Sequence, residues 1–257
     1  RTVAVFIPEA ATPERAIVPE APTIDTLLKN YTPDIKVASG EALDPAPANI
    51  EKRIQRSSIP SGIRVALLPK ETRGGRVHAS LTIRFGDEKS LAGQSAIAQM
   101  AGALLMRGTQ SKSRQQIQDE MQKLNASINV SGTLSSATAS ISTTAENLVP
   151  AMRLAVELLR QPSFPELDFE QIRKQQISIV DRGRTEPSSL VSQTLQSNLS
   201  PYPRNDVRHI RTIDEQIEDL NKVTLADVKK FHQQFYSASH GELVALGKFD
   251  TAAVKSI

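Results

Sequence analysis

The sequence predicts an α+β fold in which helices cover one face of a mixed, mainly antiparallel sheet. Two strand pairs come first, within residues 63–85 and 126–143, and a run of helical segments follows before a last strand at 242–249. Helices clustered after antiparallel pairs are typical of two-layer α+β domains.

The early strands are predicted from alternation of polar and apolar residues. Ile63–Leu68 is the first strand and Val77–Phe85 the second, and the glycine-containing turn Glu71–Arg76 between them indicates a hairpin. Ala126–Thr133 and Ala137–Thr143 are two further strands, both rich in serine and threonine.

Helices are predicted from 3.6-residue apolar spacing and from residues that cap a first turn. The run Ala96–Met106 is apolar on nearly every face, as buried helices are, and Gly108 ends it. Ser113 and Gln116 form a capping box that starts another helix. The remaining predicted elements are helices at Leu148–Leu159, Leu167–Arg184 and Ser188–Leu199, one that begins at Thr224 with Asp227, and a last strand at Glu242–Phe249.

Proline is concentrated at the start of the chain, where eight of the fifteen prolines fall within the first sixty of 257 residues. Such sequence predicts an extended linker. We therefore expect residues 1–56 to be the end of a preceding domain and an interdomain linker, and residues 57–257 to be a domain truncated in its last helix. Arg1–Ile7 resembles a strand without a beginning, so the chain is expected to be a fragment of a larger polypeptide.

Composition excludes several classes of function. The formal net charge is only +3, the lysines and arginines are scattered, and aromatic residues make up 4% of the chain, which does not favour nucleic-acid binding. No apolar run approaches the roughly 18 residues of a membrane span. The absence of cysteine excludes disulfides and thiolate metal sites.

The buried run Ala96–Met106 has the frame of a zinc-peptidase helix but none of its ligands. Two histidines four residues apart on one helical face can share a zinc ion. Here that face carries Gln99, Gly102 and Ala103. The buried helix also has a purely structural interpretation, in which Gly102 allows close packing against the sheet.

The segments on either side of this helix, Phe85-Gly86-Asp87-Glu88 and Arg107-Gly108-Thr109, resemble the insulinase-like (pitrilysin) zinc metallopeptidase family. That family has an inverted His-x-x-Glu-His motif in such a helix. The resemblance covers most of Ser57–Ile257 and implies the family's mitochondrial processing peptidase-like repeat fold. It places the two histidines at Gln99 and Ala103 and the glutamate at Gly102.

The family's third zinc ligand, a glutamate on a later helix, gives a second comparison. The matching run extends from Arg173 to Glu186-Pro187, and the resemblance places Ile179 at the ligand position. Periodicity predicts Phe169, Ile172, Ile179 and Val180 on the inward side of that helix, so Ile179 is expected in a dry core.

The resemblance therefore implies a degenerate, inactive domain with no catalytic, cofactor-binding or metal-binding residue. The predicted function is a non-catalytic domain of a zinc metallopeptidase that forms part of a chamber wall and a peptide-binding surface. Its expected partners are a peptide or unfolded polypeptide and the active half or subunit, which would hold the zinc. Resemblance to large bacterial members suggests the periplasm.

Two alternatives stay open within the same fold. The chain can belong to an inactive subunit that pairs with a separately encoded active one. It can also be a binding or assembly module without a peptidase role, like the family's respiratory-complex core subunits. A His-x-x-Glu-His motif upstream in the same polypeptide would favour the first interpretation over both.

The four histidines are predicted to be single, solvated or partly buried side chains: His78, His209, His232 and His240. His240 and Glu242 are close in sequence, but no third ligand is near them. Gly74 and Gly75 fit a hairpin turn better than a phosphate loop.

Overall fold

The computed structural model describes residues 39–59, 62–237 and 240–255, together with Ile24. The chain divides into two units, residues 1–37 and 38–257, and the elements described belong to the second. The strand predicted at Arg1–Ile7 and most of the predicted linker lie outside the described residues.

The sheet has six strands, which are β1 (Gln55–Ser58), β2 (Arg64–Pro69), β3 (Arg76–Arg84), β4 (Ser127–Gly132), β5 (Ser136–Thr144) and β6 (Gly241–Gly247). They are arranged in the order β1-β2-β6-β3-β5-β4. β2 and β6 run parallel, and all the other neighbouring pairs run antiparallel. The predicted α+β class with a mixed, mainly antiparallel sheet is confirmed.

The predicted hairpin between the first two strands is wrong, because β6 lies between β2 and β3. Glu242 of β6 is opposite Arg64 of β2 on one side and Thr82 of β3 on the other. Neighbouring strands are about 4.8 Å apart, so the connection from β2 to β3 needs to cross only about 10 Å. Periodicity defines the strands but not their partners, and a six-residue connection fits either arrangement.

Nine helices are described: α1 (Pro47–Arg53), α2 (Ser95–Leu104), α3 (Arg114–Lys123), α4 (Leu148–Arg160), α5 (Glu166–Arg182), α6 (Pro187–Leu199), α7 (Ile213–Lys222), α8 (Leu225–Phe235) and α9 (Thr251–Lys255). Short 3-10 turns cover Arg73–Gly75 and Leu105–Arg107. None of these helices combines the length and the apolar character that crossing a membrane requires.

Capping boxes start three of the helices. The predicted boxes at Ser113 of α3 and Thr224 of α8 are both present. A third, between Thr212 and Glu215, starts α7, which the sequence analysis did not predict. The Thr-x-x-Glu pattern was the available signal for this helix.

The core lies on one side of the sheet and has two parts. One is formed between the strands and α4, and includes Leu67, Val77 and Leu158. The other is formed among α2, α5, α7 and α8, and includes Met100 and Phe231. Along β3 the odd-numbered Val77, Ala79 and Ile83 are buried, whereas the even-numbered side chains lie on the opposite face of the sheet, called here the open face.

Helix α1 lies within the segment predicted as linker, and β1 begins at its end. Arg53 of α1 forms an ion pair with Glu41 at 2.5 Å and donates a hydrogen bond to the carbonyl of Pro69 at the end of β2. Backbone pairing with β2 adds β1 to the sheet. Residues 39–58 are thus held to the sheet, although the division at residue 56 itself stays a prediction.

Candidate functional site

Helix α2 carries the three positions at which the resemblance puts the zinc-binding motif. Gln99 is exposed, Gly102 is buried and Ala103 is half-buried. Glycine and alanine offer no ligand atom, and the amide of Gln99 is not one of the anionic or imidazole ligands that zinc takes. Across residues 39–59, 62–237 and 240–255, no three His, Cys, Asp or Glu side chains are grouped to hold a metal ion.

A hydrogen bond between two amides joins α2 to α5 at this place. The Nε2 of Gln99 donates to the Oε1 of Gln176 over 2.9 Å. The side chain of α5 that meets the first motif position is therefore neutral. Sequence reasoning missed Gln176, because the relative rotation of the two helices is set by packing and not by spacing within either one.

Gly102 lies against the backbone of β4 so closely that no side chain fits. A Cβ at position 102 would be 2.6 Å from the carbonyl oxygen and 2.9 Å from the Cα of Gly132. The predicted structural role of Gly102 in close packing is confirmed. A glutamate, which the resemblance expects here, would have to separate α2 from the sheet.

Tyr236 closes the other side of this contact. Its ring packs against Phe85 and Phe231, and its hydroxyl lies beside the Cα of Gly132. Burial raises the pKa of this hydroxyl. The space between α2, β4 and the end of α8 is thus filled by glycine backbone and an aromatic side chain.

The prediction that Ile179 is buried is wrong, because 44% of its surface is exposed. Phe169 and Ile172 of the same helix are 2% and 3% exposed. At about 100° per residue, Ile179 lies within about 20° of the buried Ile172 around the axis, so its exposure comes from its place in the second half of α5, beyond the buried residues Phe169 and Ile172, and not from its angle. Val180 is half-buried and packs on the core, so the inward side of α5 carries Gln176 and Val180.

Ile179→Glu is therefore expected to change the free energy of unfolding by less than about 0.5 kcal/mol, as exposed substitutions usually do. A new carboxylate at this position stays in water and incurs no desolvation cost. Denaturant midpoints at pH 5 and pH 8 test this, with Ile172→Glu as the buried control, which should destabilise by several times more. A loss above about 2 kcal/mol for Ile179→Glu would show that the side chain is buried.

A hydrogen-bond network holds the loop after α2 to α4. Glu157 accepts hydrogen bonds from the hydroxyls of Thr109 at 2.6 Å and Ser111 at 2.5 Å, and its other oxygen pairs with Lys112 at 2.5 Å. Thr109 is only 4% exposed. Burial acts to raise the pKa of Glu157, but the bonds from Lys112, Ser111 and Thr109 outweigh it and hold the pKa below its usual value. This network fixes the Arg107–Gly108–Thr109 segment that carries part of the resemblance.

The histidines are in separate places. His78 is exposed on the open face. The Nε2 of His209 lies 2.9 Å from Glu215, and that of His232 lies 2.7 Å from the carbonyl oxygen of Leu159 at the end of α4. Burial lowers the pKa of His232. His240 lines a cleft with Glu242 and directly precedes β6.

The open face is mostly hydroxyl-bearing over β3, β4 and β5. Where β2 and β6 begin and β3 ends, the open face borders a cleft of about 900 Å³ whose lining includes Arg64, Arg84 and Glu242. Two cross-strand pairs between β3 and β5 on this face match hydroxyl to hydroxyl, Ser80 with Ser140 and Thr82 with Thr138, and the oxygens of the second pair are 3.0 Å apart. The face is therefore a broad polar surface with Arg64, Arg84 and Glu242 at one end and Arg76 at the other.

Solved structures with a similar fold include M16 peptidases. One is a peptidase M16 inactive domain from Pseudomonas fluorescens, with a TM-score of 0.68 and 20% identity over 79% of this chain. The chain has the M16 peptidase fold. Two others with TM-scores of 0.63 are the ferredoxin protease FusC in complex with Arabidopsis ferredoxin, at 19% identity, and the periplasmic protease PqqL from Escherichia coli, at 18%.

The M16 fold confirms the fold that the insulinase-like resemblance implied. This chain covers 48% of the Pseudomonas fluorescens protein and 23% each of FusC and PqqL, so it spans half or less of these proteins. The comparisons cover 79% and 80% of this chain. No protein-family model and no curated protein matches the sequence.

Proposed function

We propose that this chain is a non-catalytic domain of an M16-type peptidase, and that it binds unfolded polypeptide beside an active half or subunit. The contact between Gly102 and Gly132 is the observation that supports this most directly. At the position where the resemblance puts the catalytic glutamate, this contact leaves no room for a side chain, as expected for a domain that does not use that residue. The M16 inactive domain among the similar structures has the same fold.

The outer edge of β4 supports the peptide-binding part of the proposal. β4 is a terminal strand of the sheet, and its sequence, Ser-Ile-Asn-Val-Ser-Gly, has no proline or charged residue. Edge strands without such protection are templates for adding another strand. Backbone pairing with an extended peptide would suit many sequences, as a domain that takes unfolded polypeptides requires.

The same interpretation leads to proposals about the compartment, the substrate and the domain division of the protein. The periplasmic setting is supported by the named compartment of PqqL, and a protein substrate by the ferredoxin bound to FusC. We propose that residues 57–257 form one repeat, that residues 1–56 lead into it, and that zinc is held by the active half or partner.

The chain is expected to take up no stoichiometric zinc and to leave unstructured peptides uncleaved, since neither ligands nor a metal-bound water is provided by α2. Elemental analysis after chelator washing and zinc titration measures the first. Mass spectrometry of a peptide library after incubation measures the second. One tightly held zinc per chain, or cleavage that a chelator stops, would contradict the non-catalytic assignment.

Peptide binding is expected to depend on backbone hydrogen bonds at β4. A fluorescent peptide without charged residues should bind, and its counterpart with alternate amide nitrogens methylated should bind about tenfold more weakly or not at all, because it cannot pair with a strand. Anisotropy titration gives both affinities.

A matched pair of variants tests which edge of the sheet binds the peptide. Asn129→Lys places a charge on β4 and should weaken binding, whereas Ser58→Lys places the same charge on β1, the opposite edge, and should not. Equal binding of the methylated peptide, or equal effects of the two variants, would remove the edge of β4 from the proposal.

A further inference from the structure

Acidic residues are absent from half of the sheet. β3, β4 and β5 contain no aspartate or glutamate, although the whole chain has 28 of them against 31 lysines and arginines. β3 begins with Arg76 and ends with Arg84, and both side chains belong to the open face. The open face is therefore more positive than the near-neutral chain as a whole.

At one end of this face, two arginines share one carboxylate. Arg64 of β2 forms an ion pair with Glu242 of β6, and Arg84 of β3 lies 3.7 Å from the other oxygen of Glu242. The side chains of Arg64 and Arg84 are 76% and 64% exposed. Each guanidinium has five N–H donors, so one carboxylate leaves most of them available to a ligand in the cleft.

The other carboxylate that lines the cleft, that of Asp87, accepts hydrogen bonds from residues of its own loop. Asp87 accepts hydrogen bonds from the backbone of Lys89 and Ser90 and from the hydroxyl of Ser90, at 2.8–3.0 Å. At the opposite end of β3, Arg76 contacts Asn125 and Ser142, which are neutral. The cationic groups of the open face thus exceed the carboxylates that face them among the described residues.

The surface does not suit single-stranded nucleic acid or an apolar ligand. None of the six strands contains Phe, Tyr or Trp, and Phe85, which lines the cleft, packs against Phe231, Phe235 and Tyr236, so the face offers no row of aromatic rings along which successive bases could stack. Large apolar side chains on the open face are few, with Val244 half exposed among them. Separate guanidinium groups beside rows of hydroxyls are suited to carboxylates along an extended chain.

We propose that the open face binds acidic segments of unfolded polypeptide, and that Arg64 and Arg84 hold their carboxylates. This specificity rests on the proposed peptide-binding function and adds a substrate class to it. A polypeptide that pairs with the edge of β4 would continue across the open face to Arg84, two strands or about 10 Å away, and to Arg64, four strands or about 19 Å away. The hydroxyl rows of β3, β4 and β5 give hydrogen bonds that do not depend on sequence, while the arginine end selects charge.

Two unstructured peptides of equal length, which differ only in carrying four glutamates or four glutamines, test the proposal. The whole chain should bind the glutamate peptide about tenfold more tightly at low salt, and the preference should shrink as ionic strength rises. Arg64→Gln with Arg84→Gln should remove the preference while affinity for the glutamine peptide stays. The matched control is Arg114→Gln with Arg153→Gln, two exposed arginines on α3 and α4, which should leave the preference intact.

Charge reversal gives a second, independent variant. Arg64→Glu with Arg84→Glu should favour a matched lysine peptide over the glutamate peptide. Equal affinity of the native chain for the glutamate and glutamine peptides would overturn the acidic specificity and leave peptide binding standing. Binding of neither peptide would overturn both, and displacement of the glutamate peptide by an oligothymidylate at lower concentration would show that the face selects nucleic acid instead.

Discussion

Gly102→Ala is expected to destabilise the protein by about 1–3 kcal/mol, the usual range for overpacking. Alanine in place of glycine within a helix otherwise stabilises by about 1 kcal/mol. Here the added methyl would lie 2.6 Å from a carbonyl oxygen of β4, and neither partner is a flexible side chain. A decrease in the free energy of unfolding would therefore show that the contact between α2 and the sheet outweighs the helix propensity of alanine.

Chemical denaturation of the native and variant chains measures this difference. Ser95→Ala, which changes an exposed side chain at the start of the same helix, is the control and should stay within about 0.5 kcal/mol of the native value. Gly102→Glu should lower the free energy of unfolding more than Gly102→Ala does, because it adds the cost of burying a carboxyl group to the steric clash. An alanine variant that is as stable as the native chain would show that the helix can move from the strand at little cost.

Glu157→Gln is expected to cost about 1.5–3 kcal/mol at pH 7, the range for hydrogen bonds to a charged group. The carboxylate accepts from Thr109 and Ser111 and pairs with Lys112, and only 19% of its side chain is exposed. The glutamine amide can accept with one atom only, so part of the network loses its partner.

The cost should depend on pH in a defined direction. Because the folded state lowers the pKa of Glu157 below 4.5, its stabilising effect is complete above pH 4.5 and is lost as pH falls through the folded-state pKa. The difference between native and variant should therefore shrink in acid. Glu146→Gln, an exposed residue with one long hydrogen bond from Thr144, is the control. A difference that stays constant from pH 7 to pH 3 would mean that charge is not what holds the loop.

Local sequence patterns predicted the elements of this fold better than their arrangement. Ser113 and Thr224 marked helix starts because a capping residue acts on the turn beside it. The place of β6 between β2 and β3 was not predictable, since alternation describes one strand at a time. Within α5, Ile179 lies within about 20° of the buried Ile172 around the axis, and the error came from extending the apolar stripe beyond the first half of the helix, where the buried residues lie.

Some features of the candidate site could likewise be predicted from local sequence, and others could not. The packing role of Gly102 was predictable, because it depends on residue type at a fixed position of a buried helix. The group of Arg64, Arg84 and Glu242 was not, since Arg64 and Glu242 are 178 residues apart and meet only through the sheet order. Gln176 was missed because nothing in α5 alone shows which side chain meets α2.

The central position of β6 also constrains how the protein is made. Before residues 241–247 leave the ribosome, the sheet exists only as two separate pieces, β1 with β2 and β3 with β5 and β4. The strand that joins them closes a loop of nearly the whole domain, and such long-range pairing folds slowly. During synthesis the facing edges of β2 and β3 are unpaired, so this nascent chain is open to misassociation with other strands until β6 is added.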